Sequence, residues 1–147
     1  MMAPASKPRV LILCTGNSCR SQMAEGWVRH DLGDSVEVVS AGTHPSYVHP
    51  LAIRVMAEAG VNLSSHTSKS VDRFLGQPMD LVVTVCDSAR EACPVFPNAK
   101  RVVHDLIPDP VGYGAGNREV ALAKFREVRD LIRRRIVARV REELALR

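Results

Sequence analysis

Residues 10–21, VLILCTGNSCRS, decide the fold of this chain. They open with a continuous apolar run, Val10 to Leu13, which is typical of a β-strand covered on both faces. A polar loop follows, and then a segment in which Met23, Trp27 and Val28 share one face of a helix. Because a strand, a short loop and a helix in this order begin a βαβ unit, the stretch predicts a parallel sheet.

The rest of the sequence repeats this alternation. Three more apolar, β-branched runs predict strands, at residues 36–40, 81–85 and 101–106. Two more amphipathic segments predict helices, one from Pro50 to Gly60 and one from Ala121 to Leu144. We therefore predict an α/β fold, a small, doubly wound parallel sheet of four strands flanked by helices. It forms one domain, residues 9–147, after a flexible tail, residues 1–8.

Composition places the chain among ordinary globular proteins. Of its 147 residues, 46% are apolar and 24% are charged, and no apolar run approaches the roughly 20 residues of a membrane helix. The first residues lack the apolar core of a secretory signal. We expect a cytoplasmic monomer that binds neither a membrane nor nucleic acid.

Positive charge is concentrated at the end of the chain. Residues 118–147 contain ten Lys or Arg and five Asp or Glu, although the whole chain has a net charge of only +4. A basic helix can bind nucleic acid. The solvent face of an amphipathic helix explains the same charges more simply, and the run Arg133, Arg134, Arg135 leaves an acidic partner as a weaker alternative.

The four cysteines, Cys14, Cys19, Cys86 and Cys93, narrow the possible chemistry. An extracellular disulfide framework usually has more cysteines in a smaller chain. Zinc is also a poor fit, because no C-x2-C occurs and the five histidines do not cluster. We expect no bound metal. Thiol chemistry in a reducing compartment remains, beside cysteines that only fill a core.

Cys14 to Ser21 has the pattern C-x5-R-S between the predicted strand and helix. Successive backbone N–H groups in such a loop can surround one tetrahedral oxyanion, and the helix presents its positive end to the same point. Arg20 adds a planar cation, and Gly16 is expected to adopt angles that a side chain would forbid. The residues expected to contact the anion are Thr15, Gly16, Asn17, Ser18, Cys19, Arg20 and Ser21. The alternative is a buried strand-end cysteine and a surface arginine.

The same environment favours Cys14 as a nucleophile. A thiol near a helix N-terminus and a cation loses its proton more easily, and the thiolate is the reactive form. The hydroxyls of Thr15 and Ser21 can donate hydrogen bonds to that sulfur. Cys19 is expected to turn toward the core.

Three longer strings resemble one known family. They are CTGNSCRSQMAEGW at 14–27, SAGT at 40–43 and SHTS at 65–68. They are similar to thioredoxin-coupled arsenate reductases of the low-molecular-weight tyrosine phosphatase superfamily, and with the motifs described next the resemblance extends over nearly the whole chain. It implies reduction of arsenate, external thioredoxin as the reductant, no cofactor, and a part in arsenic detoxification.

Cys86 and Cys93 lie seven residues apart after the third predicted strand. In a helix they would be roughly 10 Å apart, so a disulfide between them requires the segment to change shape. Taken alone, they are equally well explained as ordinary half-buried cysteines. The resemblance implies that they are the second and third redox cysteines, which accept a disulfide from Cys14 in turn.

Asp109 lies between two prolines, which restrict the backbone around it. The resemblance implies that this Asp-Pro carries the general acid. A carboxylate that only stabilises a turn is the common alternative for Pro-Asp-Pro, and Asp105 is a second candidate acid.

Some members of the resembling family bind potassium behind the loop through Asn, Glu, Ser and Asp. Asn17, Glu25 and Ser40 match the first three, and Lys69 takes the place of the Asp. We predict that the Lys69 ammonium replaces the potassium ion and pairs with Glu25. The alternative is that Lys69 is a solvated surface residue.

Two other functions remain open at this point. A low-molecular-weight protein tyrosine phosphatase would use the same loop, but it has no use for Cys86 and Cys93. Such phosphatases also tend to have aromatic residues after Asp-Pro, where this chain has Val111 and Gly112. A non-catalytic anion-sensing module would bind the anion without consuming thiol reductant.

Overall fold

The computed structural model describes residues 7–85, 98–114 and 116–146. Within them a single sheet has four strands, all parallel, in the order β2-β1-β3-β4. The strands are β1 Arg9–Cys14, β2 Glu37–Gly42, β3 Leu81–Thr84 and β4 Val102–His104. The predicted sheet is confirmed, although β4 is shorter than the predicted strand at 101–106.

The helices follow the predicted positions. They are α1 Arg20–Leu32, α2 Pro50–Glu58, α3 Arg118–Ile132 and α4 Ala138–Glu143, with a 3₁₀ turn at Val71–Arg73. A π-helical turn, Arg133–Val137, joins α3 to α4, so the predicted long helix is continuous but locally widened. In the part of the chain that the structure describes, no helix is long and apolar enough to span a membrane.

Capping residues determine where α2 and α3 begin. Pro50 occupies the first turn of α2, where its missing N–H does no harm, and the His49 side chain accepts a hydrogen bond from the Leu51 N–H. Asn117 caps α3 by accepting from the N–H groups of Glu119 and Val120. The His49 cap is uncommon, and it places a titratable ring at the start of α2.

The strand β1 separates two apolar cores. Val10 and Ile12 point into the larger core with the helices α1, α2 and α3. Leu11 and Leu13 point the other way, toward a smaller core that includes Phe74. Burial on both sides explains why β1 is a continuous apolar run rather than an alternating one.

The parallel register brings three loops to one edge of the sheet. Cys14 lies opposite Gly42 at the ends of β1 and β2, and the Val85 N–H donates to the Leu13 carbonyl at 3.0 Å just beyond β3. In open α/β sheets this carboxyl-terminal edge is where ligands bind. The predicted anion loop therefore lies where the fold favours a site.

Candidate active site

The loop between β1 and α1 forms one wall of a cavity of about 390 Å³. The predicted site residues that line it are Cys14, Thr15, Gly16, Ser18, Cys19, Arg20 and Asp109. Cys14 is almost fully buried at the base of the cavity, where β1 ends. The structure thus brings the cysteine, the arginine and the Asp-Pro carboxylate, all named from sequence, into one place.

Arg20 connects the anion loop to the loop that carries Asp109. One terminal nitrogen of its guanidinium donates to the Ile107 carbonyl at 3.1 Å, and the other lies 3.6 Å from a carboxylate oxygen of Asp109. The second carboxylate oxygen of Asp109 accepts from the Val111 N–H at 2.9 Å. This turn directs the carboxylate toward Arg20 and leaves the Asp109 side chain 51% exposed.

Asp105, the second candidate acid, has a different environment. Its carboxylate is nearly buried and pairs with Arg135 in the π-helical turn. It does not belong to the cavity lining. Of the two candidates, Asp109 has the geometry of an acid that can reach a bound anion.

Cys19 is the second cysteine that lines the cavity. Burial, reinforced by the negative charge of Asp109, raises the pKa of the Cys19 thiol to about 11, and Arg20 opposes this only partly. Cys19 is therefore a neutral thiol at physiological pH. The predicted turn of Cys19 toward the core is confirmed, since its side chain packs in the larger core.

The residue with a left-handed backbone in the loop differs from the prediction. Gly16 does not have a left-handed backbone; Asn17 does, with φ of 47°. Asparagine tolerates this region better than most residues, so the expectation about Gly16 was wrong. The glycine that the loop requires is Gly42 on β2, because a Cβ there would lie 2.3 Å from the Thr15 carbonyl oxygen.

The side chain of Asn17 explains why it occupies this position. Its amide nitrogen donates to the hydroxyls of Ser21 and Ser40 at 2.8 and 2.9 Å. Its amide oxygen accepts from the backbone N–H of Lys69 at 2.9 Å and from Gln22 at 2.9 Å. The hydrogen bonds of this one side chain therefore hold the loop from behind. Donation from Ser21 to the Cys14 sulfur stays a prediction.

Glu25 is the negative centre behind the loop. Its carboxylate accepts from the Ser40 hydroxyl at 2.6 Å, and the Lys69 ammonium lies 3.8 Å away. Arg29 lies nearer, at 2.8 Å, and sequence reasoning missed it although Glu25 and Arg29 are one helical turn apart. The predicted proximity of Lys69 to Glu25 is present, but its replacement of a potassium ion stays a prediction.

His66 joins the same network. Its Nδ1 lies 2.9 Å from the Gln22 side-chain oxygen, and Arg29 approaches its Nε2 at 3.1 Å. Since arginine can only donate, Nε2 is the acceptor and Nδ1 carries the proton. Burial lowers the pKa of His66, and Arg29 and Lys69 act in the same direction against the opposing effect of Glu25.

Four lining residues of the cavity were missed from the sequence. They are Ser46, Tyr47, His49 and Val111. The first three lie between β2 and α2, and that loop leaves the same edge of the sheet as the anion loop. The predicted strand order could have indicated these residues, because every loop that leaves the carboxyl-terminal edge of the sheet can contribute to the site.

The two remaining redox cysteines, Cys86 and Cys93, lie outside the described residues. Val85, which directly precedes Cys86 in the sequence, donates its N–H to the carbonyl of Leu13, which directly precedes Cys14. Among the residues that are described, no group of three or more His, Cys, Asp or Glu is arranged to hold a metal ion.

A four-stranded parallel sheet, with a cysteine at the end of its first strand and an arginine at the start of the following helix, is typical of a phosphatase-like fold. The chain belongs to the low molecular weight phosphotyrosine protein phosphatase family, whose model matches residues 9–145. The resemblance inferred from the sequence is confirmed at the level of the family.

Within that family, the chain is similar to proteins named for arsenate reduction. It is 47% identical over 131 residues to an arsenate reductase of Halalkalibacterium halodurans, covering 89% of this chain and 94% of the relative. A solved arsenate reductase in the phosphate binding state has a TM-score of 0.77 at 30% identity, with 92% of this chain and 98% of that chain covered. A thioredoxin-dependent arsenate reductase of Corynebacterium glutamicum has a TM-score of 0.69 at 28% identity, covering 97% of this chain and 65% of that chain.

Proposed function

We propose that this chain reduces arsenate to arsenite, with Cys14 as the nucleophile. The observation that carries the proposal is that Cys14, Arg20 and Asp109 line one cavity at the start of α1. The turn between Cys14 and Arg20 suits a tetrahedral oxyanion, and the similar proteins named as arsenate reductases support arsenate as that anion.

The first step forms a bond between sulfur and arsenic. The Cys14 thiolate attacks arsenic, the bond from arsenic to one arsenate hydroxyl breaks, and that hydroxyl leaves as water after taking a proton from Asp109. Arg20 neutralises charge on the remaining oxygens. The position of Asp109 next to Arg20, exposed to the cavity, is consistent with this role.

The second step transfers two electrons to arsenic. The Cys86 thiolate attacks the sulfur of Cys14, the sulfur–arsenic bond breaks, and its electron pair stays on arsenic, which leaves as arsenite. The Cys93 thiolate then attacks Cys86, which frees Cys14 and leaves a Cys86–Cys93 disulfide. The hydrogen bond from Val85 to Leu13 supports the first exchange, because it holds the neighbours of Cys86 and Cys14 together.

The cycle closes when an external dithiol reduces the Cys86–Cys93 disulfide. We propose thioredoxin as that dithiol, supported by the similarity to the thioredoxin-dependent enzyme of Corynebacterium glutamicum. A cytoplasmic location would supply reduced thioredoxin and keep Cys14 in its reduced form. No resident cofactor enters the scheme.

The test is arsenate-dependent oxidation of NADPH in the presence of thioredoxin and thioredoxin reductase. Wild type is compared with Cys14→Ser, Cys86→Ser and Cys93→Ser, and we expect each single variant to lose multiple turnover. Binding of inorganic phosphate to Cys86→Ser and Cys93→Ser is the control, because both variants should keep an intact anion loop. Full turnover by either of these two variants would contradict the disulfide relay.

Hydrolysis of a phosphate monoester is the second candidate function. It is favoured by the size of the cavity, which at about 390 Å³ exceeds the space that one inorganic oxyanion fills, and by the aromatic ring of Tyr47 at its wall. The same variants separate the two activities. A phosphatase would hydrolyse p-nitrophenyl phosphate without Cys86 and Cys93, whereas a reductase needs both cysteines for turnover.

A further inference from the structure

His49 lies on the boundary between two cavities. On one side it lines the anion cavity together with Cys14, Arg20 and Asp109. On the other side it borders a groove of about 550 Å³ that includes Arg118. None of the motifs in the sequence includes this residue, and the proposed reaction has not used it.

The ring of His49 is held in place from several directions. Its Nδ1 accepts from the Leu51 N–H at 3.1 Å, and its own backbone N–H donates to the Ser18 carbonyl of the anion loop at 2.9 Å. Its ring centroid lies 4.9 Å from that of Phe125 and 6.3 Å from that of Tyr47. Because Phe125 belongs to the core, the ring has little freedom to turn.

These contacts determine which nitrogen carries the proton. The Leu51 N–H can only donate, so Nδ1 must be the acceptor, and a neutral ring then has its hydrogen on Nε2. Burial lowers the pKa of His49, although the Asp109 carboxylate acts in the opposite direction. The other ionisable groups along the two cavities are two arginines, two tyrosines and two thiols, namely Arg20, Arg118, Tyr47, Tyr113, Cys14 and Cys19.

We propose that His49 is a further anion-binding residue, which donates a hydrogen bond from Nε2 to an oxygen of the tetrahedral oxyanion held by the loop. The inference rests on the proposed function and adds a contact from the loop that precedes α2, whose residue His49 lines the same cavity as Asp109. A neutral donor stabilises the anion without adding positive charge beside Asp109.

The competing explanation is that His49 only caps α2. Two substitutions separate the roles, because Asn places a polar atom near the position of Nδ1 and Gln places one near the position of Nε2. His49→Asn keeps the cap, since Asn is among the best N-cap residues, and removes the donor from the cavity. His49→Gln keeps a donor at the reach of Nε2 and loses the cap.

The experiment measures binding of inorganic phosphate to the reduced full chain by calorimetry, together with the melting temperature of each variant. We expect His49→Asn to melt like wild type and to bind phosphate about tenfold more weakly, the typical effect of losing one hydrogen bond to a charged group. We expect His49→Gln to melt a few degrees lower, by about the loss of one cap, and to bind like wild type.

Three results would overturn the proposal. The first is wild-type affinity in His49→Asn while His49→Gln also binds normally, the second is wild-type affinity in His49→Asn while His49→Gln binds weakly, and the third is weak binding in both variants. Failure of the wild-type chain itself to bind phosphate would instead reject the anion loop, and with it the proposed function. The failure of the His49 contact and the failure of the loop are therefore distinguishable.

Discussion

The two sides of the anion loop are built differently. The cavity side consists of Cys14, Arg20, His49 and Asp109, and the Asp109 side chain is half exposed. The support side lies behind the loop and consists of polar residues joined by hydrogen bonds and ion pairs. They are Asn17, Ser21, Gln22, Glu25, Arg29, Ser40, His66 and Lys69. At its centre Asn17 and Ser40 are fully buried.

This difference indicates that the two sides of the loop have different roles. A buried network with many partners fixes the loop from behind, which is the preorganisation that the proposed anion binding requires. The cavity side carries the half-exposed carboxylate of Asp109, the proposed acid. Substitutions on the cavity side should therefore change catalysis more than stability, and substitutions on the support side should do the reverse.

The largest effect is expected at Asp109. Asp109→Asn removes the proton donor but keeps the shape of the turn, so kcat for arsenate reduction should fall by about 10² to 10⁴. The free energy of unfolding should hardly change, because the carboxylate is half exposed. Steady-state kinetics and urea unfolding measure both quantities.

Asp105→Asn is the matched control for this variant. Asp105 lies four residues before Asp109 and pairs with Arg135. Loss of this ion pair should lower stability by about 1 kcal/mol and leave kcat close to that of wild type. If kcat falls as much in Asp105→Asn as in Asp109→Asn, the assignment of Asp109 as the acid is wrong.

Asn17 should show the opposite pattern. Asn17→Ala leaves the hydroxyls of Ser21 and Ser40 and the N–H of Lys69 without their partner, and it also puts alanine at φ of 47°. We expect a loss of about 3 kcal/mol in the free energy of unfolding, from the sum of these effects. Urea unfolding measures it.

Asn17→Gly separates the two causes. Glycine adopts the left-handed region freely, so this variant should be about 1 kcal/mol more stable than Asn17→Ala while lacking the same hydrogen bonds. Equal stability of the two variants would show that backbone strain at Asn17 contributes nothing.

A smaller effect is expected at Lys69. If its ammonium replaces a potassium ion, exchanging sodium for potassium at constant ionic strength should not change the activity of wild type. Lys69→Asp should gain a potassium response, because Asn17, Glu25 and Ser40 then stand beside an added carboxylate. A strong potassium response in wild type, or none in Lys69→Asp, contradicts the replacement.

The smallest expected effect is the pH dependence from His66. Its pKa in the folded chain is lowered below the ordinary 6.5. Between the lowered pKa and pH 6.5, the unfolded chain therefore binds more protons than the folded chain. The stabilisation from neutral His66 is complete above pH 6.5 and is lost as the pH falls toward the lowered pKa. The difference in unfolding free energy between wild type and His66→Gln should shrink from pH 7.5 to 5.5; a constant difference would contradict this.

Local patterns in the sequence predicted most of the fold. Val10 to Leu13 and the β-branched run at 81–85 became strands, and Pro50 became the first residue of α2, because each signal depends on neighbouring residues alone. The π-helical turn Arg133–Val137 was not predicted. Apolar residues at intervals of three and four fit an uninterrupted α-helix equally well, so the pattern did not reveal the wider turn.

The sequence by itself determined the reactive groups of the site, because C-x5-R and Asp-Pro are contiguous motifs with a local geometry. Only the tertiary structure gave Asp109 and Asp105 different environments, showed that Asn17 rather than Gly16 has the left-handed backbone, and brought His49 to the cavity. Each of these depends on which loops meet at the carboxyl edge of the sheet. That meeting is a contact between residues distant in the chain, and no local pattern records it.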